Sequence, residues 1–147
     1  MTAVDTNILV YAHRADSPWH RAADRALTDL AEGPSSWAIP WPCLFEFFAI
    51  VTHPKIYRPP TPARDALTQI ECWLESPTLV LLSEGEGFWE TLQPLLAQSA
   101  VQGAAVHEAR LAALCLRHGV KTLLSADRDF SRFPELRTEN PLSRTRS

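Results

Sequence analysis

The sequence predicts an α/β fold, a short and mainly parallel sheet covered on both faces by helices, on three observations. Short apolar runs of strand length alternate with longer segments of helical periodicity. Within those runs successive positions are apolar rather than alternating, the pattern of strands buried on both faces. The 147 residues, 46% of them hydrophobic, make one domain with a single core, and no repeat, low-complexity run or linker divides them.

Met1 to Val4 read as the first strand. Asp5, Thr6 and Asn7 then supply capping side chains for a helix through Ile8, Leu9, Val10 and Tyr11. Ser17-Pro18 starts a second helix, a hydroxyl followed by proline at the first helical position. Its apolar stripe is Ala22, Ala23, Ala26, Leu27 and Leu30, and Gly33-Pro34 stops it. Ser36 to Ile39 form a short strand. Pro42 opens an almost wholly apolar helix, Cys43 to Val51, which ends before Pro54. A proline-rich loop, Lys55 to Pro62, leads to a helix from Thr61-Pro62 toward Glu75. Thr78 to Leu82 read as a buried strand, followed by helices around Phe88 to Ala100 and Val106 to His118. After Gly119, Thr122 to Leu124 form a core strand with Asp127 just past its end, and Leu136 to Glu139 an edge strand. Residues 1–142 form the domain, and Ser143 to Ser147 a frayed, flexible tail. The five tryptophans are expected mainly in the core, the alternative for some being a groove for a second copy or a partner.

Fourteen Lys+Arg against 17 Asp+Glu give a net charge of −3, which excludes nucleic-acid binding through a general excess of cations. Cys43, Cys72 and Cys115 are an odd count, widely spaced and without a Cys-x-x-Cys pair. They fit neither a disulfide framework nor a zinc ribbon and point to a reducing compartment. No basic, apolar leader begins the chain and no run approaches the roughly 18–20 apolar residues of a membrane span. The expected location is cytoplasmic, with no membrane partner.

Four carboxylates stand where charges are costly. Asp5 lies between Val4 and the apolar run Ile8 to Tyr11. Glu46 is the only charge between Cys43 and Val51, in a helix that looks too apolar for a wet face. Glu108 shares a stripe with Leu111, Ala112 and Cys115, and Asp127 follows Leu123-Leu124. Taken singly, each has a structural reading: Asp5 as a helix cap, Asp127 as the cap of the turn Arg128-Asp129-Phe130, Glu108 as a rim charge paired with Arg110 or His107, and Glu46, the hardest to explain structurally, as a solvated charge. Coincidence accounts for the set of four far less well than for any single member.

Buried carboxylates are relieved by protonation, a cationic partner or a metal. Lysine cannot be the common partner, because the chain has only Lys55 and Lys121. Asp5 and Asp127 sit at C-terminal ends of strands, where the ligand crevice of an open parallel sheet lies. If all four acids converge there, each pair at about 4 Å repels by roughly 4 kcal/mol at an effective dielectric near 20. A divalent cation relieves those repulsions together, and ligation by oxygen alone favours Mg²⁺ or Mn²⁺ over zinc.

The stretch Val4-Asp5-Thr6-Asn7-Ile8-Leu9-Val10-Tyr11 resembles the opening of PIN domains. Glu46 within Phe45-Glu46-Phe47, followed by Val51-Thr52-His53-Pro54, and then Ser125-Ala126-Asp127-Arg128-Asp129-Phe130, are similar to that family's second and last acidic motifs. The order and spacing resemble VapC-type toxins of bacterial toxin–antitoxin pairs through Asn140-Pro141-Leu142. This resemblance implies a three-layer α/β/α sandwich, a Mg²⁺- or Mn²⁺-dependent ribonuclease site, homodimers, and a cognate antitoxin that blocks the cleft. It puts Asp5, Glu46, Glu108 and Asp127 in the catalytic, metal-binding positions, with Thr6 and Asn7 beside the first carboxylate. Ser125 stands where threonine is more usual. The third acid departs from the pattern, glutamate replacing the usual aspartate in Glu108-Ala109-Arg110-Leu111-Ala112-Ala113, and Ala104 follows Gly103 where asparagine is common.

The leading expectation is therefore hydrolysis of RNA phosphodiesters. Thr6, Asn7 and Ser125 orient the metal-binding carboxylates, while Asp129 caps its turn or orients Arg128. Arg14, Lys55 and Arg128, with Arg21, Arg58 and Arg132, are a candidate phosphate-binding rim. Two rivals stand beside it. One is a catalytically weakened PIN-like module that binds RNA or a partner through the same cleft. The other is a Mg²⁺-dependent phosphatase of the haloacid-dehalogenase kind, which would want a second aspartate where Asn7 stands.

Overall fold

A computed structural model describes residues 1–98 and 100–143. Five parallel strands, β1 Thr2–Val4, β2 Trp37–Pro40, β3 Leu79–Leu82, β4 Thr122–Leu124 and β5 Arg137–Glu139, form one sheet in the order β3-β2-β1-β4-β5. The chain builds outward from β1 in one direction and then, beginning again beside β1, in the other. The switch falls between β1 and β4, where Val4 is in register with Leu124, and the C-terminal ends of those two strands flank the crevice that such a reversal leaves.

Six helices cover the sheet: α1 Thr6–His13, α2 His20–Glu32, α3 Trp41–Val51, α4 Ala63–Leu74, α5 Phe88–Gln98 and α6 Ala105–Arg117. Helix α1 packs on α2 and α3, α3 packs on α4, and α5 pairs with α6. The result is the three-layer α/β/α sandwich. Its core holds Ile8, Leu9, Trp37, Ile39, Leu44, Phe47, Leu114 and Leu123, all nearly inaccessible to solvent.

Local chemistry sets the element ends that matter. Asp5 caps α1 by accepting from Thr6 N–H at 2.7 Å. Ser17 accepts from Trp19 N–H at 3.1 Å, so Ser17-Pro18 makes a turn and α2 begins at His20, later than expected. At the end of α6, Gly119 takes a φ of 74°, which lets Gly119 N–H reach Leu116 O and Val120 N–H reach Cys115 O. That reversal feeds β4 directly into the centre of the sheet.

Two expectations are corrected. Strand β3 is an edge strand, so Val80 is exposed and only Leu82 is fully buried. Helix α3 does have a wet face, because Phe45, Glu46 and Ala49 point away from the core that Cys43, Leu44, Phe47 and Val51 enter. The tryptophans lie mainly in or against the core, as expected: Trp37 is buried and donates to Ser76 Oγ at 3.0 Å, Trp41 and Trp73 pack against the core, and Trp19 and Trp89 are exposed on helix starts. Of the expected tail, Ser143 closes a 3-10 turn, Pro141–Ser143, and residues 144–147 lie outside the described residues.

Candidate active site

The parallel pairing of β1 and β4 brings together side chains about 120 positions apart. Asp5 N–H donates to Leu124 O at 2.9 Å, which sets the residue after β1 beside Ser125, the residue after β4. Ser125 Oγ donates to Asp5 Oδ2 at 2.7 Å and accepts from Asp127 N–H at 3.0 Å. Asn7 spans the same gap: its Nδ2 lies 3.5 Å from Asp5 Oδ2 and 3.4 Å from Ser125 Oγ, and its Oδ1 accepts from Ala126 N–H at 3.1 Å. Two polar side chains, Ser125 and Asn7, thus lock the ends of two strands around one carboxylate.

Asp5 is 7% exposed. Burial is the main cause that pushes its carboxyl above the ordinary carboxylate range. The hydrogen bonds from Ser125 and Thr6 oppose the shift, and the nearby charges of Glu46 and Asp127 add to it. The Cys43 thiol, buried and itself pushed well up first by desolvation and then by Asp5, donates to Asp5 Oδ1 at 3.8 Å. Cys115, pushed up to about 12 by the same two causes, stays a neutral thiol in the core.

A cleft of about 230 Å³ opens above this corner, and Asp5, Glu46, Glu108 and Asp127 all line it. Glu46 reaches it from the wet face of α3, where Thr6 Oγ1 donates to its Oε2 at 3.0 Å. Glu108 reaches it from the first turn of α6. Its Oε2 is buried and has no hydrogen-bond partner among the described residues, and its neighbour Arg110 pairs with Glu84 instead. Asp127 caps the 3-10 turn Arg128–Arg132 through Asp129 N–H at 2.8 Å. One carboxylate oxygen from each of Glu108, Asp127 and the exposed Asp129 lies within 4.8 Å of the other two.

The donor set suits a hard divalent cation. Carboxylates crowd one cleft, and a buried carboxylate oxygen without a donor is the kind of orphan that a cation relieves.

The predicted rim is only partly gathered here. Arg128 lines an adjoining groove of about 590 Å³ that shares Asp127 and Phe130 with the cleft. Arg14 is engaged elsewhere, by Asp16 at 2.7 Å, by Thr61 Oγ1 at 3.2 Å and over the Tyr57 ring at 4.3 Å. Lys55 is exposed in the loop after α3 and does not line the cleft. Two cleft residues escaped the sequence reading. Cys43 carries one usable signal, a thiol three residues before Glu46 on an apolar helix, whereas Arg110 reads along the chain only as a partner for Glu108.

The PIN domain family model matches residues 2–136. The chain belongs to the PIN-domain family. Ribonuclease VapC43 of Mycobacterium tuberculosis is 36% identical over 142 residues, covering 97% of this chain and 96% of that protein. The crystal structure of Mycobacterium tuberculosis VapC20, a sarcin-ricin loop cleaving toxin, superposes with a TM-score of 0.66 at 19% identity, over 89% of this chain and 93% of that one. VapBC2 from Rickettsia felis, bound to a DNA fragment from its promoter, gives a TM-score of 0.65 at 20% identity over 95% and 97%. These two structures share the fold of this chain. The acidic cleft of this chain lies at the switch between β1 and β4.

Proposed function

We propose that this protein is a metal-dependent endoribonuclease that hydrolyses RNA phosphodiester bonds, acting in the cytoplasm as the toxin of a toxin–antitoxin pair. One observation carries the chemistry: Asp5, Glu46, Glu108 and Asp127 arrive from separate elements at one cleft, where the buried Glu108 Oε2 meets no donor. Kinship to a protein named ribonuclease VapC43 supports RNA as the substrate. A neighbour solved as VapBC2 and another titled a toxin–antitoxin complex, from Klebsiella pneumoniae, support an antitoxin as partner. A homodimer is part of the same reading.

Asp5, Glu46, Glu108 and Asp127 would hold Mg²⁺ or Mn²⁺, with Asp129 at the solvent edge. Bound there, the cation supplies Lewis-acid polarisation of the phosphoryl oxygens and acidifies water. The protein's part is orientation. Ser125 and Thr6 N–H fix Asp5, Thr6 Oγ1 fixes Glu46, and Asn7 ties the two strand ends so that neither carboxylate swings away. Arg128, in the adjoining groove, is placed to meet a flanking phosphate.

The test is purified protein with structured and unstructured RNAs in Mg²⁺, Mn²⁺ or EDTA, beside an Asp5→Asn variant. Cleavage should require the metal and vanish in the variant. Equal cleavage by the variant, or cleavage in EDTA, refutes the site.

A further inference from the structure

We propose that Arg110 receives a substrate phosphate in this cleft and that Glu84 holds its guanidinium for the purpose; the inference rests on the ribonuclease reading above. The argument begins with charge. Four carboxylates outnumber the two positive charges of one divalent ion, so the loaded cleft still repels a polyanion. Among the described residues that line the cleft, Arg110 alone carries a permanent positive charge. Arg14 is taken up by Asp16, Thr61 and Tyr57, and Lys55 lies outside the cleft lining.

The way Arg110 is held suits the task. Glu84, in the loop after β3, accepts from its Nε. The two terminal nitrogens have no hydrogen-bond partner among the described residues. A guanidinium engaged at Nε keeps its end-on pair of N–H groups, and that planar fork matches two oxygens of a phosphate. Both partners are more than 40% exposed, so the pair adds little to folding. Helix α6 also carries Glu108, and one rigid element therefore sets the spacing between metal-binding acid and phosphate-binding base.

The experiment compares wild type, Arg110→Gln, Arg110→Lys, Glu84→Gln and, as a surface control, Arg25→Gln. Initial rates on a single-stranded RNA are measured across salt concentrations, with thermal melts in the presence and absence of Mn²⁺. Arg110→Gln should raise KM about tenfold, in line with loss of one charged hydrogen-bonded contact, and change kcat little. Its log(kcat/KM) should depend on log salt less steeply by about 0.7, the share of one phosphate contact on a single strand. Arg110→Lys should keep the salt slope but recover only part of KM. Glu84→Gln should raise KM less than Arg110→Gln, with the slope intact, and Arg25→Gln should match wild type. The Mn²⁺-induced rise in melting temperature should be the same in all five proteins. An Arg110→Gln variant with wild-type KM and salt slope overturns the proposal, as does one whose Mn²⁺ response is lost, since Arg110 would then be supporting the metal site. Wild-type protein that cleaves no RNA overturns the ribonuclease reading itself and this inference with it.

Discussion

The two sides of the acidic cleft are built on opposite terms. At the Asp5 corner the protein satisfies its own carboxylate: Oδ1 accepts from Thr6 N–H and the Cys43 thiol, and Oδ2 from Ser125 Oγ and, at longer range, Asn7 Nδ2. Across the cleft, Glu108 Oε2 is buried with no donor among the described residues, and Asp127 and the exposed Asp129 stand close to it. The first corner is made by two parallel strand ends, which leave the backbone little freedom. The second is made by a helix start and a 3-10 turn, which set the acids near one another without supplying protons to share. The difference teaches that this cleft is half preorganised by the chain and half completed by whatever positive charge enters it.

Asp5→Asn should break that arrangement most completely. Activity should fall by more than the ~10–100-fold that follows loss of a ligand's supporting partner. The metal-free protein should nevertheless become more stable at neutral pH. Burial raises the Asp5 pKa, so the folded chain binds that proton more tightly than the unfolded chain. Stability from this group is therefore present below about pH 4 and lost as pH rises through the higher folded value. Removing the charge removes the loss, and melting curves from pH 4 to 8 should be flatter for the variant. A variant with the wild-type pH profile would mean that the Asp5 corner is not desolvated in solution.

Glu108→Gln comes next and probes the opposite side. An amide replaces a carboxylate whose Oε2 has no donor to lose, so the metal-free melting temperature should stay level or rise. Divalent-ion affinity should fall at least tenfold, read as a weaker shift of the melting temperature per decade of Mn²⁺. Loss of folding stability with metal affinity intact would show that Glu108 is satisfied within the chain and that the two sides are alike.

Ser125→Ala separates support from ligation. It takes the 2.7 Å donor from Asp5 and the acceptor from Asp127 N–H at once. The expected result is about 1–2 kcal/mol of lost stability and a metal affinity lowered about tenfold. Ser125→Thr keeps the hydroxyl and should restore both. A fall in affinity without a fall in stability would place Ser125 against the cation rather than behind Asp5.

The sequence made the first corner far more legible than the second, for physical reasons. Asp5 and Ser125 each directly follow an apolar strand, and the C-terminal ends of adjacent parallel strands must meet. Glu46 was found through the wrong premise: it seemed stranded in a fully buried helix, yet it lies on the wet face of α3 and lines the cleft from there. What a side chain is denied cannot be read along a chain, and the orphaned Glu108 oxygen depends on how deep α6 sits. The Arg110–Glu84 pair spans 26 positions and left no local trace. The pairing of Arg14 with Asp16, two residues on, did leave one, and it removes an arginine that its place at a helix end assigns to the rim.

The smallest expected effect, from Asp129→Asn, is the finest test of where the open side ends. Asp127 caps its turn through the backbone N–H of Asp129, so the substitution leaves that cap in place and folding should not change. Only a negative charge is removed, and it is exposed. An exposed charge near a bound cation acts through solvent and is screened, so metal affinity should drop a few-fold at low salt. The difference should shrink as ionic strength approaches ~1 M, where the screening length is about 3 Å. A loss that equals that of Glu108→Gln and ignores salt has a different origin: direct contact between the Asp129 carboxylate and the ion. The open side would then hold three ligating acids, Glu108, Asp127 and Asp129, against the one that the chain itself secures at the Asp5 corner.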